Sequence, residues 1–242
     1  MDYTSFRELF IRIFEKNGLI SYATEENIRK FHALTDMMMQ TNRVMNITAL
    51  TTEDKIIPLH YADCVKICNL LPEHAKVIDI GCGGGFPLLP LAIVRPDLQL
   101  TGLDSTEKKI RYVEETAKQL DLCITGISAR AEELAKEKLY REAYDVAISR
   151  AVARLNLLDE LCIPFVKIGG QFIAMKGTAG GEELAEAANG IQRLGGIIEN
   201  HPEYELYTTD RMEKRTVITV RKDRSTPKEF PRSFGAIKKR PI

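Results

Sequence analysis

Apolar positions divide the chain into two regimes. Near the start they recur at helical spacing: Phe6, Leu9, Phe10, Ile13 and Phe14 follow i, i+3, i+4, i+7 and i+8, one stripe ended by Gly18. Thr24 is placed to cap a second helix, with Glu25 and Glu26 suited to the positive end of its dipole. That helix presents Ile28, Phe31, Thr35, Met38 and Met39 and breaks near Thr41-Asn42. A third apolar-rich segment runs from about Lys55 to Leu71 and stops at Pro72. Beyond Pro72, short apolar runs alternate with amphipathic ones. Lys76–Ile80, Leu98–Asp104, Leu122–Ile127, Tyr144–Ser149 and Gln171–Met175 read as strands, as do Ile197–Tyr207 and Thr216–Arg221 near the end. Helical patterns lie between them over Pro87–Val94, Thr106–Leu120, Ala131–Leu139, Leu155–Pro164 and Glu182–Leu194. Such alternation predicts an α/β fold whose mainly parallel sheet is covered on both faces. The last two of these seven strands have no helix between them, which predicts an antiparallel hairpin at one edge.

Composition adds little to that picture: 242 residues, 44% hydrophobic and 28% charged, suit an ordinary globular chain. No apolar run approaches the roughly 20 residues of a membrane span, and the first ten residues lack the apolar core of a signal peptide. Five scattered cysteines without a CxxC pair, and four histidines that do not cluster with them, argue for a reducing, cytoplasmic setting and against a metal site. Net charge is zero, but its distribution is uneven. Residues 222–242 carry a net +5, leaving −5 on the remainder. With Pro227, Pro231, Gly235 and Pro241, this basic tail is not expected to form a regular helix. It reads either as a solvated terminus or as an arm that contacts a polyanion.

The stretch Val77-Ile78-Asp79-Ile80-Gly81-Cys82-Gly83-Gly84-Gly85-Phe86-Pro87 joins a strand directly to a helix. Glycines there let the backbone turn tightly and approach a ligand without Cβ collisions. A dinucleotide fingerprint would need a third glycine or alanine where Phe86 stands, and the Gly-Lys-Ser/Thr ending of a phosphate loop is absent. What remains is D-x-G-x-G-x-G, formed by Asp79, Gly81, Gly83 and Gly85, which resembles the first motif of Rossmann-like methyltransferases. Asp104 closes the second strand, 23 residues beyond Gly81, where a carboxylate can accept from ribose hydroxyls or simply cap a turn. Ala131 and Glu132, after the third strand, either flank an adenine or start a helix.

Several motifs then agree in order. The run VIDIGCGGGFPLLPLAIVRPDLQLTGLDS, the stretch ISRAVARLN from Ile148 to Asn156 and Met175-Lys176-Gly177 resemble the RsmG (GidB) family, bacterial methyltransferases that act on N7 of a guanine in small-subunit (16S) ribosomal RNA. Asn42-Arg43-Val44-Met45-Asn46-Ile47-Thr48 and His60-Tyr61-Ala62-Asp63 fit the same pattern, so the resemblance spans about residues 20–240. It implies a Rossmann-like class I methyltransferase fold with an N-terminal helical extension (1–71), a cofactor-binding domain (72–221) and the basic tail (222–242). It also implies S-adenosylmethionine as cofactor, with contacts at Gly81, Phe86, Ala131, Glu132 and Arg150, beside Gly83, Gly85 and Asp104 from the motif itself. Cys82 stands where the family loop often has a small polar residue, a place where only the backbone should matter. The implied substrate is ribosomal RNA within a ribosomal particle. Asn42, Arg43, Asn46 and Lys176 are the candidate RNA contacts. Guanine N7 carries a free lone pair and no proton, so no catalytic base is expected. Two other readings remain: an NAD-dependent dehydrogenase, and an RNA-binding assembly factor without turnover.

Overall fold

A computed structural model describes every residue except Ala151, Ala179 and His201. Two long helices open the chain, α1 (Tyr3–Lys16) and α2 (Glu25–Asn42). Thr24 caps α2, its hydroxyl accepting from the Asn27 amide at 3.2 Å. Next come α3 (Glu53–Ile56), a π-helical turn (Ile57–Ala62) and α4 (Asp63–Val65), so the third apolar segment is a single helical rod widened in its middle. The α/β part follows as β1 (Lys76–Ile80), α5 (Leu88–Val94), β2 (Gln99–Asp104), α6 (Glu107–Gln119), β3 (Ile124–Ser128), α7 (Ala131–Leu134) and β4 (Tyr144–Arg150). It continues with α8 (Leu155–Cys162), β5 (Val166–Lys176), α9 (Gly180–Arg193), β6 (Gly196–Asn200), β7 (Glu203–Tyr207), β8 (Met212–Lys222) and α10 (Phe234–Lys239).

The strands form one sheet in the order β3-β2-β1-β4-β5-β8-β6, parallel from β3 to β5 and antiparallel at β8. It has eight strands, one more than the sequence pattern predicts. The extra strand arises because the apolar run Ile197–Tyr207 is interrupted. Its two pieces, β6 and β7, pair with successive stretches of the same flank of β8. Between them stands Pro202, which has no N–H to offer the ladder and only accepts, from the Val217 amide at 3.1 Å.

Alternation along the strands sends their side chains into two cores. Val77, Val146, Ile148, Ile173, Met175 and Val217 meet α5, α6 and the N-terminal helices on one face. Ile78, Ile80, Ala147, Phe172, Ala174 and Ile218 meet α8, α9 and α10 on the other. The tail departs from expectation: it is docked and it contains a helix. Phe230 and Ile237 enter the second core, and the buried Lys222 ammonium bonds the Ile163 carbonyl and the Thr226 hydroxyl. Arg141 gathers the carbonyls of Thr226, Pro227 and Phe230, while Arg232 chelates the fully buried Glu160 carboxylate. The helix fits between Pro231 and Pro241, so no proline interrupts it.

Candidate functional site

The winding of the sheet reverses between β1 and β4, and the C-terminal ends of the strands flanking such a reversal form a ligand crevice in open α/β sheets. There the loop after β1 is tied down by its own backbone, Gly81 and Cys82 amides donating to Leu103 O at 2.7 and 3.0 Å. Gly81 adopts φ +75°, and a Cβ on it would meet Val152 Cγ2 at 2.7 Å. The Gly83 amide donates to Asp104 Oδ2 at 3.1 Å, and Thr106 N donates to Oδ1 at 2.8 Å, so the carboxylate closing β2 braces the loop. Gly85 turns away: its pro-Cβ direction faces Leu89 of α5 and Val113 of α6, where its role is close helix packing.

The opposite wall comes from the N-terminal part. Asn42 accepts the amides of Ile47 and Thr48 and donates to Thr48 O, pinning the segment after α2 over the loop. Ile47 Cγ2 would lie 2.3 Å from a Cβ on Gly84, so the two chains pass in close contact. On the π turn, His60 stacks on Phe86, the rings 4.3 Å apart and inclined by 13°. Burial first, and the Arg150 charge second, push the His60 imidazole down to about 3, so the ring is neutral at pH 7. Arg150 only donates, and its contact at 3.1 Å therefore assigns acceptor character to Nδ1. The proton then sits on Nε2 and is given to Thr48 Oγ1 at 2.7 Å.

Arg150 ends β4 and is nearly enclosed. It donates to Cys64 Sγ and to Leu59 O, a carbonyl on the π turn, both at 2.8 Å, and lies 3.5 Å from Asp63. π turns inside helices recur at functional sites. Here the turn aims His60 and the Leu59 carbonyl at one guanidinium.

These groups enclose a cavity of about 390 Å³, lined by Ile47, His60, Gly81–Gly84, Phe86, Asp104, Lys109, Arg150 and Val152. Arg150 and Val152 also line a second cavity of about 480 Å³ beyond the ends of β4 and β5. Its charged residues are Asp63, Arg150, Arg154, Lys176, Glu183 and Arg215, with Tyr204 beside them. Beneath the glycine loop, Asp79 is buried and neither carboxylate oxygen has a hydrogen-bond partner. Burial pushes its pKa up to about 7, with Arg150 opposing and Asp104 reinforcing the shift.

Of the residues singled out in the sequence, Gly81, Gly83, Phe86, Asp104 and Arg150 come together at the first cavity. Ala131 and the buried Glu132 open α7 next to the end of β3 and do not line it. Arg43 and Asn46 are exposed and do not line it, Arg43 bordering a separate cavity with Met38, Met39 and Leu50, whereas Asn42 is spent on the loop. Lys176 is not a free surface cation: it is buried, donating to Ala153 O at 2.6 Å and pairing with Glu183 at 2.8 Å. Sequence reading missed Ile47, His60, Lys109 and Val152, and the partners of Asp63. His60 and Asp63 did carry a signal, since they stand in one of the quoted motifs without an assigned role. Tyr204 and Arg215 carried none until register made them directly paired neighbours on β7 and β8.

The chain matches the family model described as GidB, rRNA small subunit methyltransferase G, over residues 27–209. It is 42% identical over 220 residues to ribosomal RNA small subunit methyltransferase G of Acetivibrio thermocellus, covering 90% of each chain. The protein of that name from Clostridium perfringens is 40% identical over 221 residues, covering 90% of this chain and 92% of that one. Among solved structures, P. horikoshii TYW2 in complex with MeSAdo superposes with a TM-score of 0.54 at 13% identity, over 69% of this chain and 64% of that one. NSun6 from Pyrococcus horikoshii with SFG gives 0.53 at 14% identity, over 67% and 52%. At such identities the structural likeness is one of fold.

Proposed function

The chain belongs to the rRNA small subunit methyltransferase G family, and from that premise we propose that it methylates N7 of a guanine in 16S ribosomal RNA with its cofactor seated behind the glycine loop. It has the class I methyltransferase fold and is an S-adenosylmethionine-dependent enzyme.

The residues present suit that cofactor. A Cβ on Gly81 or Gly84 would collide with Val152 or Ile47 of the cavity wall, and one on Gly83 would meet only Gly81 O, so the cavity is bordered here by bare backbone. Asp104, with lone pairs left beyond its two amide contacts, is placed to accept from ribose hydroxyls. Asp79, buried beneath the loop with a pKa of about 7, is drawn toward its ionised form by a ligand that bears positive charge, so its negative charge develops as the cofactor binds. Phe86, held flat by His60, offers an apolar wall. When bound, the cofactor presents a methyl on a positively charged sulfur, which the N7 lone pair can displace in line. The protein's task is positioning, an effect worth roughly 7–11 kcal/mol in well-oriented reactions. His60 is neutral and enclosed, and N7 has no proton to remove, so no residue need serve as base. In this reading residues 72–221 form the cofactor-binding part, and 1–71 supply Ile47 and His60 to its wall.

The acceptor is best supplied by a ribosomal particle in the cytoplasm. Net charge is zero, and of the tail cations only Lys228, Lys238, Lys239 and Arg240 stand exposed without a role in docking it. With Arg43 and Asn46 they form a modest phosphate-contacting set, suited to a prefolded RNA surface. The observation that carries the reading is the single cavity shared by Gly81, Phe86, Asp104 and Arg150 at the sheet's switch point. Transfer of label from S-adenosylmethionine to small subunits lacking N7-methylguanine, compared with fully modified ones, tests it. Label recovered as N7-methylguanine only from unmodified subunits, and reduced by Asp104→Ala, supports both chemistry and site. Cofactor binding without any transfer to that RNA would refute the substrate assignment.

A further inference from the structure

We infer that the ion pair Lys176–Glu183 reads the base edge of the acceptor guanine in the second cavity, a step that rests on the proposed N7 methylation. N7 alone cannot choose the base, because adenine presents the same acceptor atom. Selection must come from position 6 and its neighbour. Guanine offers an acceptor, O6, beside a donor, N1–H; adenine reverses the order, with an amino group beside an unprotonated N1. A site that prefers guanine therefore needs a donor next to an acceptor.

Lys176, the last residue of β5, and Glu183, in the first turn of α9, stand 2.8 Å apart in this arrangement. The ammonium has three protons, and its partners are Ala153 O and Glu183, which leaves one to give. Among the described residues, both contacts of Glu183, from Leu155 N and from Lys176, fall on Oε2, so Oε1 is available as an acceptor. Both side chains line the second cavity, which shares Arg150 and Val152 with the cofactor cavity. A base held by its edge at the pair would lie within reach of that shared boundary and of the methyl donor beyond it.

The cavity's other carboxylate is already engaged. Asp63 accepts from Tyr204 Oη at 2.8 Å and lies 3.5 Å from both Arg150 and Arg215. The Lys176–Glu183 pair is thus the unsaturated donor–acceptor element there. Lys176 is buried and Glu183 mostly so, and a site built around such polar groups rejects an isostere with the pattern reversed, because those groups are then left unpaired.

The test uses full-length enzyme in excess, in single turnover, on small subunits reconstituted with guanine or adenine at the methylated position. The readout is the ratio of the two rates, which is indifferent to how much of a variant is folded. Glu183→Gln, isosteric, and Lys176→Met should each lower the guanine-to-adenine ratio by about 10- to 100-fold, while cofactor affinity stays within a few-fold of wild type. A ratio equal to that of wild type in both variants overturns the inference and leaves the pair a brace between β5 and α9. The wild-type enzyme separates this from the underlying reading: N7-methylguanine formed by wild type with unaltered variant ratios refutes only the pair, whereas none formed by wild type refutes the methylation itself.

Discussion

Asp79→Asn should remove a pH dependence of stability that is built into the floor of the site. The carboxyl is fully buried, neither oxygen has a partner, and its pKa stands at about 7 against an ordinary 3.8. Between those values the native protein holds a proton that the unfolded chain has released. Stability therefore falls as pH rises from about 4 to about 7 and levels off above. At about 1.4 kcal/mol per unit, the loss between pH 5 and pH 8 comes to roughly 2–3 kcal/mol. Asparagine keeps the shape and cannot ionise. Its buried amide brings its own cost of roughly 1–3 kcal/mol, so absolute stabilities of the two proteins do not discriminate; the slopes do. Urea unfolding of the cofactor-free protein at pH 5, 6, 7 and 8 should show the variant gaining on wild type by roughly 2–3 kcal/mol over that range. Parallel curves would refute the reasoning and mean that Asp79 is ionised and solvated in the native state.

Three other expectations follow from single contacts. Asn42→Ala removes three hydrogen bonds that hold Ile47 against Gly84; titration calorimetry should show cofactor affinity about 10-fold weaker, at roughly 1 kcal/mol of loop order, with little change in melting temperature. Gly81→Ala meets both a φ of +75° and Val152 Cγ2 at 2.7 Å; it should cost about 1–2 kcal/mol of stability from the backbone alone and lower cofactor affinity, while a wild-type affinity would take Gly81 out of the site. Arg232→Ala removes the charged partner of the fully buried Glu160 and leaves it only the backbone amide of residue 232; a loss of about 3 kcal/mol, or roughly 10 °C in calorimetry, is expected, and a change under 2 °C would mean that this ion pair adds no stability.

What the chain reveals before folding is whatever one segment determines by itself. The stripe of α1, the Thr24 cap, the glycine loop and Asp104 at the end of β2 are local patterns, and each falls where its spacing placed it. Pro202 was visible too, but its consequence depended on β8 lying alongside, where a missing N–H splits one edge strand into two. Tail docking rests on Arg141 reaching carbonyls 85 to 89 residues away, which no local periodicity encodes. Lys176 carries the same lesson: a lysine at a strand end suggests a solvated cation until α9 folds back and supplies Glu183. The π turn is harder still, because a single widened turn shifts the apolar spacing by only one residue, which a segment this short and this apolar does not reveal.

That turn explains why the α/β part cannot be considered apart from the helices before it. In an open α/β sheet the loops after the strands supply the crevice and the helices supply cover. Here the cover on one face comes partly from α1, α2 and the rod from α3 to α4, which share a core with Val146, Ile148, Ile173 and Val217. The same helices send Ile47 over Gly84, His60 onto Phe86 and Leu59 O to Arg150. Arg150 is the junction: anchored by the rod, it borders both cavities and takes part in the field at Asp79. A displacement of the rod would therefore move the walls of both cavities together. Neighbouring walls that depend on one guanidinium cannot be adjusted independently, a coupling suited to the proposed in-line transfer, in which two reactants must be held together.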